Sequence, residues 1–249
     1  MIGQAGAVVN AERIKLMSLR SPLWAAAAAA VLSFGLAALQ ASVGYDGRLA
    51  IPTVALGVAV FGVPVLMVVA AMTLTGEYRS GLIATTYLAT PDRTLVVCAK
   101  AVVAALFSAV CAAVMVVGSV VVAAGVAGVP ASPTADQTVG FAAATALYAA
   151  LAAVLGVGVA TLVRHTAGAV TVLLLWPLLV EPLLANLPGR RWEIGPYLPF
   201  ANVFRFLEVQ WLFSGSAIPW GPAGSLAYFA AVVAAVFVVA LVVVNRRDA

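Results

Sequence analysis

A chain of 249 residues that is 64% hydrophobic and 9% charged, with mean hydropathy +1.12, has too little polar surface to cover a soluble globule. Its net charge of +4, from 13 Lys and Arg against 9 Asp and Glu, is spread between apolar runs, which excludes a basic domain able to hold nucleic acid. Two cysteines and one histidine exclude a disulfide framework and a histidine-rich metal centre.

Several uninterrupted apolar runs reach the roughly 20 residues that an α-helix needs to cross about 30 Å of hydrocarbon, whereas a barrel needs alternating strands of about 10. The sequence therefore predicts an all-α integral membrane protein, one transmembrane domain over residues 1–249 with no room for an attached soluble domain. In residues 1–21, Val8, Val9, Ile14, Leu16, Met17 and Leu19 interleave with Asn10, Glu12, Arg13, Lys15 and Arg20. Such a segment beside a span predicts an N-terminal amphipathic helix in the membrane interface, carrying Glu12, Arg13, Lys15 and Arg20, with its basic residues reaching the headgroups and its apolar face in the acyl boundary. A disordered basic tail is the plainer alternative. Pro22 separates this stretch from the first span. A cleaved signal peptide fits less well, because the run from Leu23 to Leu39 exceeds the usual 7 to 15 apolar residues.

Spans are predicted at 23–41, 51–74, 95–126, 139–163, 167–184 and 225–244. The third is longer than a perpendicular crossing needs, so it tilts or extends beyond the membrane. Arg13, Lys15, Arg20, Arg79, Arg93, Lys100, Arg164, Arg246 and Arg247 fall on one side of this layout and Arg48, Arg190, Arg191 and Arg205 on the other. Positive residues near span ends stay on the cytoplasmic side, which predicts that both termini are cytoplasmic and explains the pI near 9.4.

Residues 75–94 form a polar island between the second and third spans. Glu77 and Arg79 begin it, Pro91, Asp92 and Arg93 end it, and Leu82, Ile83, Tyr87 and Leu88 between them carry enough apolar surface for a short helix lying flat or docked in a groove. An ordinary loop is the competing reading. Beyond it, Cys98 and Cys111 share one helix and read as small, unbridged apolar residues. His165, beside Arg164 in the turn between the fourth and fifth spans, reads as a solvated loop residue. No Gly-rich turn ends in Gly-Lys-Ser or Gly-Lys-Thr, so uphill transport would draw on an ion gradient or a partner ATPase.

Glu181 is the one carboxylate predicted deep within a span, toward its outer end. Two readings stand: a proton or cation site, or a snorkelling carboxylate paired with Arg190, Arg191 or a neighbouring helix. Pro177 and Pro182 flank it and are expected to kink the helix into a polar outer gate. Residues 185–224 contain Trp192, Tyr197, Phe200, Phe204, Phe206, Trp211, Phe213 and Trp220, an aromatic content suited to the interface. Between Pro199 and Trp220 they form either a short re-entrant helix, with Arg205 and Glu208 paired at i and i+3, or an irregular cap.

The stretch from Ala11 to Trp24, the run Gly76-Glu-Tyr-Arg-Ser-Gly-Leu-Ile-Ala-Thr-Thr-Tyr-Leu-Ala-Thr-Pro-Asp-Arg93 followed by Lys100, and the six-span layout with an aromatic outer element together resemble the permease subunits of ABC-2 type exporters, particularly the small actinobacterial ones. The loop is similar to the family's Glu-Tyr-Arg-x-Gly-Thr-Ile pattern, departing from it at Leu82. The resemblance implies a subunit without enzymatic activity in the bacterial cytoplasmic membrane. It implies a loop that couples to a separate ABC ATPase subunit, which binds ATP and Mg; no cofactor is expected in this chain. Glu77, Tyr78, Arg79, Ser80 and Gly81 would anchor the start of the coupling element and Pro91, Asp92 and Arg93 its end. A second permease, identical or homologous, would complete a dimer surrounded by membrane lipids. The expected cargo is a drug, lipid or apolar peptide, as in multidrug efflux, and a stand-alone ion-coupled carrier or channel using Glu181 is the alternative.

Overall fold

A computed structural model describes residues 2–43, 50–128, 133–186, 194–209 and 218–246, and no described residue lies in a strand. Among the described residues, six helices are long and apolar enough to cross a membrane: Arg20–Val43, Val58–Ser80, Arg93–Ala127, Ala135–Val163, Thr166–Ala185 and Pro222–Arg246. Their length and apolarity mark a helical, multi-pass membrane protein. Arg48, Arg190, Arg191 and Arg247, with Trp192, Trp211 and Phe213, lie outside the described residues.

The N-terminal residues are helical as α1 (Ile2–Ser18), and only Leu19 interrupts the chain before α2 (Arg20–Val43). Pro22 is therefore inside the first turn of α2 and does not separate it from α1; the amides of a first turn have no intrahelical partner, so a proline there removes no bond. A short α3 (Ile51–Val54) leads into a widened π-turn at Val58–Gly62 and then α4 (Val63–Ser80). The Val63 amide bonds back to the Val58 carbonyl, and Pro64 follows; a widened turn beside a proline is one way a helix absorbs the missing donor.

The start of the polar island is helix: α4 runs through Thr75, Glu77 and Tyr78 to Ser80. Gly81, at φ 73°, caps it in the left-handed conformation that glycine reaches without a Cβ penalty, and the chain turns into α5 (Leu82–Ala89). Asp92 then caps α6 (Arg93–Ala127), its carboxylate accepting from the Leu95 amide at 3.0 Å. At 35 residues, α6 is about 52 Å long and overruns the hydrocarbon. A capping box of Thr134 and Gln137 starts α7 (Ala135–Val163).

Arg164 (φ 56°) ends α7, and His165, exposed, caps α8 (Thr166–Leu175) by accepting from the Gly168 amide. A second π-turn at Trp176–Val180, containing Pro177, joins α8 to α9 (Glu181–Ala185), whose second residue is Pro182. The expected kink is thus a widened turn. A 3-10 turn at Gly195–Tyr197, α10 (Pro199–Phe206) and α11 (Pro222–Arg246) complete the chain.

Small residues set the packing. Helix α7 lies against α4, α6 and α11 and buries Ala149, Ala152, Ala153, Gly156, Val157 and Ala160. Helices in lipid gain little from the hydrophobic effect, so close backbone approach through small residues supplies the contact instead. A Cβ at Gly156 would collide with the Met67 carbonyl oxygen, and one at Gly57 would stand 2.9 Å from the Ser33 backbone.

Candidate functional site

Three helices bring two carboxylates and two ammonium groups into one ring at the α5 end of the bundle, buried except at Lys15. Glu12 and Lys15 come from α1, Glu77 from the last turns of α4, and Lys100 from the second turn of α6. Lys100 Nζ lies 2.6 Å from Glu12 Oε2 and 2.8 Å from Glu77 Oε1, while Lys15 Nζ lies 2.9 Å from Glu12 Oε1 and 3.0 Å from Glu77 Oε1. Charges alternate around the ring and sum to zero, the arrangement that makes ionised groups tolerable out of water. The Lys100 side chain is 1% exposed and that of Lys15 45%. Burial works against the Lys15 ammonium, but its hydrogen bonds and charge contacts with Glu12 and Glu77 outweigh that and hold it above its ordinary value.

These contacts change the expected role of Glu77. Its carboxylate is not presented outward at the start of the loop but turned inward to Lys15 and Lys100, with Oε2 buried and unpartnered. Arg79, Ser80, Gly81, Pro91 and Asp92 do stand exposed around α5. Tyr78 lies under the Arg164 guanidinium and Tyr87 under that of Arg93, each at 5.3 Å from ring centroid to guanidinium carbon. Burial first, and neighbouring Tyr78 second, push the Tyr87 phenol up. Arg93 also donates to the Val244 carbonyl at 3.3 Å, and Asn245 donates to Thr94 at 2.8 Å, fastening the loop's exit to the last turn of α11.

Thus α5 is rooted at both ends and buries Ile83 and Tyr87, yet presents Leu82 (56% exposed) and Leu88 (83% exposed) outward. On α1, Arg13, Ile14 and Met17 also face outward, with Arg20 exposed at the start of α2. Between α1 and α5 lies an open groove of about 510 Å³ lined by Ala7, Ala11, Glu12, Lys15, Thr86 and Ala89, among others.

At the opposite end, Glu181 is fully buried and every hydrogen bond it accepts comes from an N–H donor. Oε1 accepts from Trp176 Nε1 at 2.8 Å; Oε2 accepts from the Phe200 and Ala201 amides at 2.9 and 3.1 Å. The carboxylate thereby caps the N-terminus of α10, where free amides and the helix dipole favour a negative charge. The carboxylate is therefore paired with a neighbouring helix but fully buried rather than snorkelling, and its charge is already met by three N–H donors. Asn202 is likewise satisfied: it donates to the Pro196 and Leu198 carbonyls at 2.9 Å and accepts from Trp220 at 2.8 Å. Phe200 and Tyr148 pack edge-on against Phe229, at 5.5 and 5.9 Å. The Arg205–Glu208 ion pair of the re-entrant-helix reading does not form: α10 ends at Phe206, and Glu208, whose amide donates to the Arg205 carbonyl at 3.2 Å, lies past the helix end with φ 54°.

Among the described residues no cluster of His, Cys, Asp or Glu is able to hold a metal ion, and Cys98 and Cys111 are free. Sequence reasoning missed the ring, although one signal was present: Lys100 lies seven residues into an otherwise apolar helix, about 10 Å along its axis, where an ionised side chain demands a partner. No protein-family model matches the chain, and no curated protein does.

Proposed function

We propose that this chain is the membrane-spanning permease subunit of an ABC-2 type exporter in a bacterial cytoplasmic membrane. The observation that carries the proposal is α5: a short helix fixed at both roots to spans and bearing Leu82 and Leu88 outward between exposed Arg79, Ser80, Pro91 and Asp92. A helix so fastened is suited to enter a groove of a partner through its exposed leucines and to pass displacement to α4 and α6, with the polar residues making rim contacts. In this reading the α5 end faces the cytoplasm, consistent with its concentration of Arg and Lys, and a separate ATPase supplies the energy. The cargo is hydrophobic or amphipathic, and a second permease completes the pathway. The residues thought to anchor the coupling element divide: Glu77 roots it from inside, and the exposed residues around α5 meet the partner. The rival reading, an ion-coupled carrier using Glu181, gains nothing from a carboxylate whose two oxygens already hold three N–H donors.

The test is a photo-crosslinking residue placed at Leu88 in the native membrane, with Tyr197, exposed at the opposite end, as control. The proposal expects a defined adduct at position 88, absent at 197, whose partner carries a Gly-Lys-Ser or Gly-Lys-Thr nucleotide loop. Adducts only with lipid at both positions would contradict it.

A further inference from the structure

Helix α1 is held to the bundle in an unusual way. Of its residues from Gln4 to Ser18, only Glu12 and Leu16 are buried; Ile14 and Met17 face outward, and the groove of about 510 Å³ separates it from α5. Apolar burial is therefore a minor part of its attachment. The ion ring is the major part: Glu12 reaches across to Lys100, and Lys15 to Glu77. We propose that α1 is a releasable strap, docked through the ring and able to leave as a unit while the six spans stay packed.

Two further observations support release. The ring is incompletely satisfied, since Glu77 Oε2 is buried without a partner, and an unpaired buried carboxylate oxygen forfeits its hydration. Undocking α1 readmits water to Glu77 and Lys100, and this rehydration offsets much of the lost pairing, because buried ion pairs are nearly balanced against desolvation. An element with few buried apolar contacts also belongs to the low-stability end of a structure, where local opening precedes global unfolding. Leu19, the single non-helical residue between α1 and α2, supplies the hinge. Release uncovers Glu77 and Lys100 at the root of α5, and it does so whatever α5 binds.

Hydrogen exchange on the full chain in lipid nanodiscs tests this. In the wild type, α1 amides are expected to exchange at least about tenfold faster than the core amides of α6 and α7. Glu12→Gln and Glu77→Gln each accelerate α1 by about another tenfold with α6 and α7 unchanged, and Leu16→Ala has the smaller effect. Exchange of α1 that occurs only together with the spans in the wild type overturns the proposal. So does a Glu12→Gln variant whose α1 rates stay within about threefold of wild type, which would assign α1's attachment to lipid or to Leu16. Because the wild-type comparison stands alone, failure of a variant to insert leaves the proposal open to refutation.

Discussion

Without Lys100, Glu12 and Glu77 would share a buried site with only the half-exposed Lys15 between them. Breaking a buried pair from one side strands a charge away from water, at a cost of about 3–5 kcal/mol, whereas an exposed partner contributes about 1 kcal/mol or less. Lys100→Ala should therefore lower the thermal midpoint of the chain in detergent far more than Lys15→Ala, and equal shifts would contradict the ring as described. The pH dependence follows from Lys15, whose value is raised above 10.5 in the folded state. A raised value means that its contribution is complete below the unfolded value and is lost as pH climbs through the folded one. Docking of α1, followed by a fluorophore on Ser18→Cys in a chain lacking Cys98 and Cys111, should lose Lys15's share only above about 10.5. At this scale local chemistry was legible and distant pairing was not. Gly81 and Asp92 announce a turn and a helix start by residue type, while Glu12 and Lys100, 88 positions apart, carry no mutual signal in sequence.

Helix contacts turn on single atoms where backbones nearly touch. A methyl at Gly156 meets the Met67 carbonyl, which belongs to a helix backbone and has little freedom to retreat, whereas Gly140 has open space around it. Gly156→Ala is expected to destabilise by about 1–3 kcal/mol through overpacking, and Gly140→Ala to stabilise by up to about 1 kcal/mol through helix propensity. Thermal denaturation of the two variants checks the difference in sign. For α10, Glu181→Gln substitutes a neutral amide with one acceptor oxygen for a carboxylate that serves Trp176 and two backbone amides. The expected result is faster hydrogen exchange at Phe200 and Ala201 with α7 unchanged; unaltered protection there would remove Glu181 as the cap. The spans themselves were legible because about 20 apolar residues in a row have few other uses. Less so were their ends: polar Thr75 to Ser80 reads as loop, yet it is helix up to the Gly81 cap, with Glu77 turned inward to Lys100. Pro177 and Pro182 forecast a disturbance in the fifth span without revealing its form as a π-turn, and the π-turn at Val58–Gly62 before Pro64 was not anticipated.

For the whole molecule, the two ends of the bundle differ in chemistry. One carries α1, α5, the ion ring and the guanidinium-capped tyrosines; the other carries α10, held by Glu181, Asn202 and edge-on aromatics. The proposed exporter gives each end a part: α5 receives motion from an ATPase, and α10 with the widened turn at Pro177 closes the outer side. The most direct measurement is native mass spectrometry after gentle extraction of the tagged chain from its own membrane, wild type beside Leu88→Asp. The account predicts a stoichiometric companion with a Gly-Lys-Ser or Gly-Lys-Thr nucleotide loop bound to the wild type and lost from the variant, both chains remaining folded. A wild-type chain that emerges alone, or a companion held equally by Leu88→Asp, would contradict it.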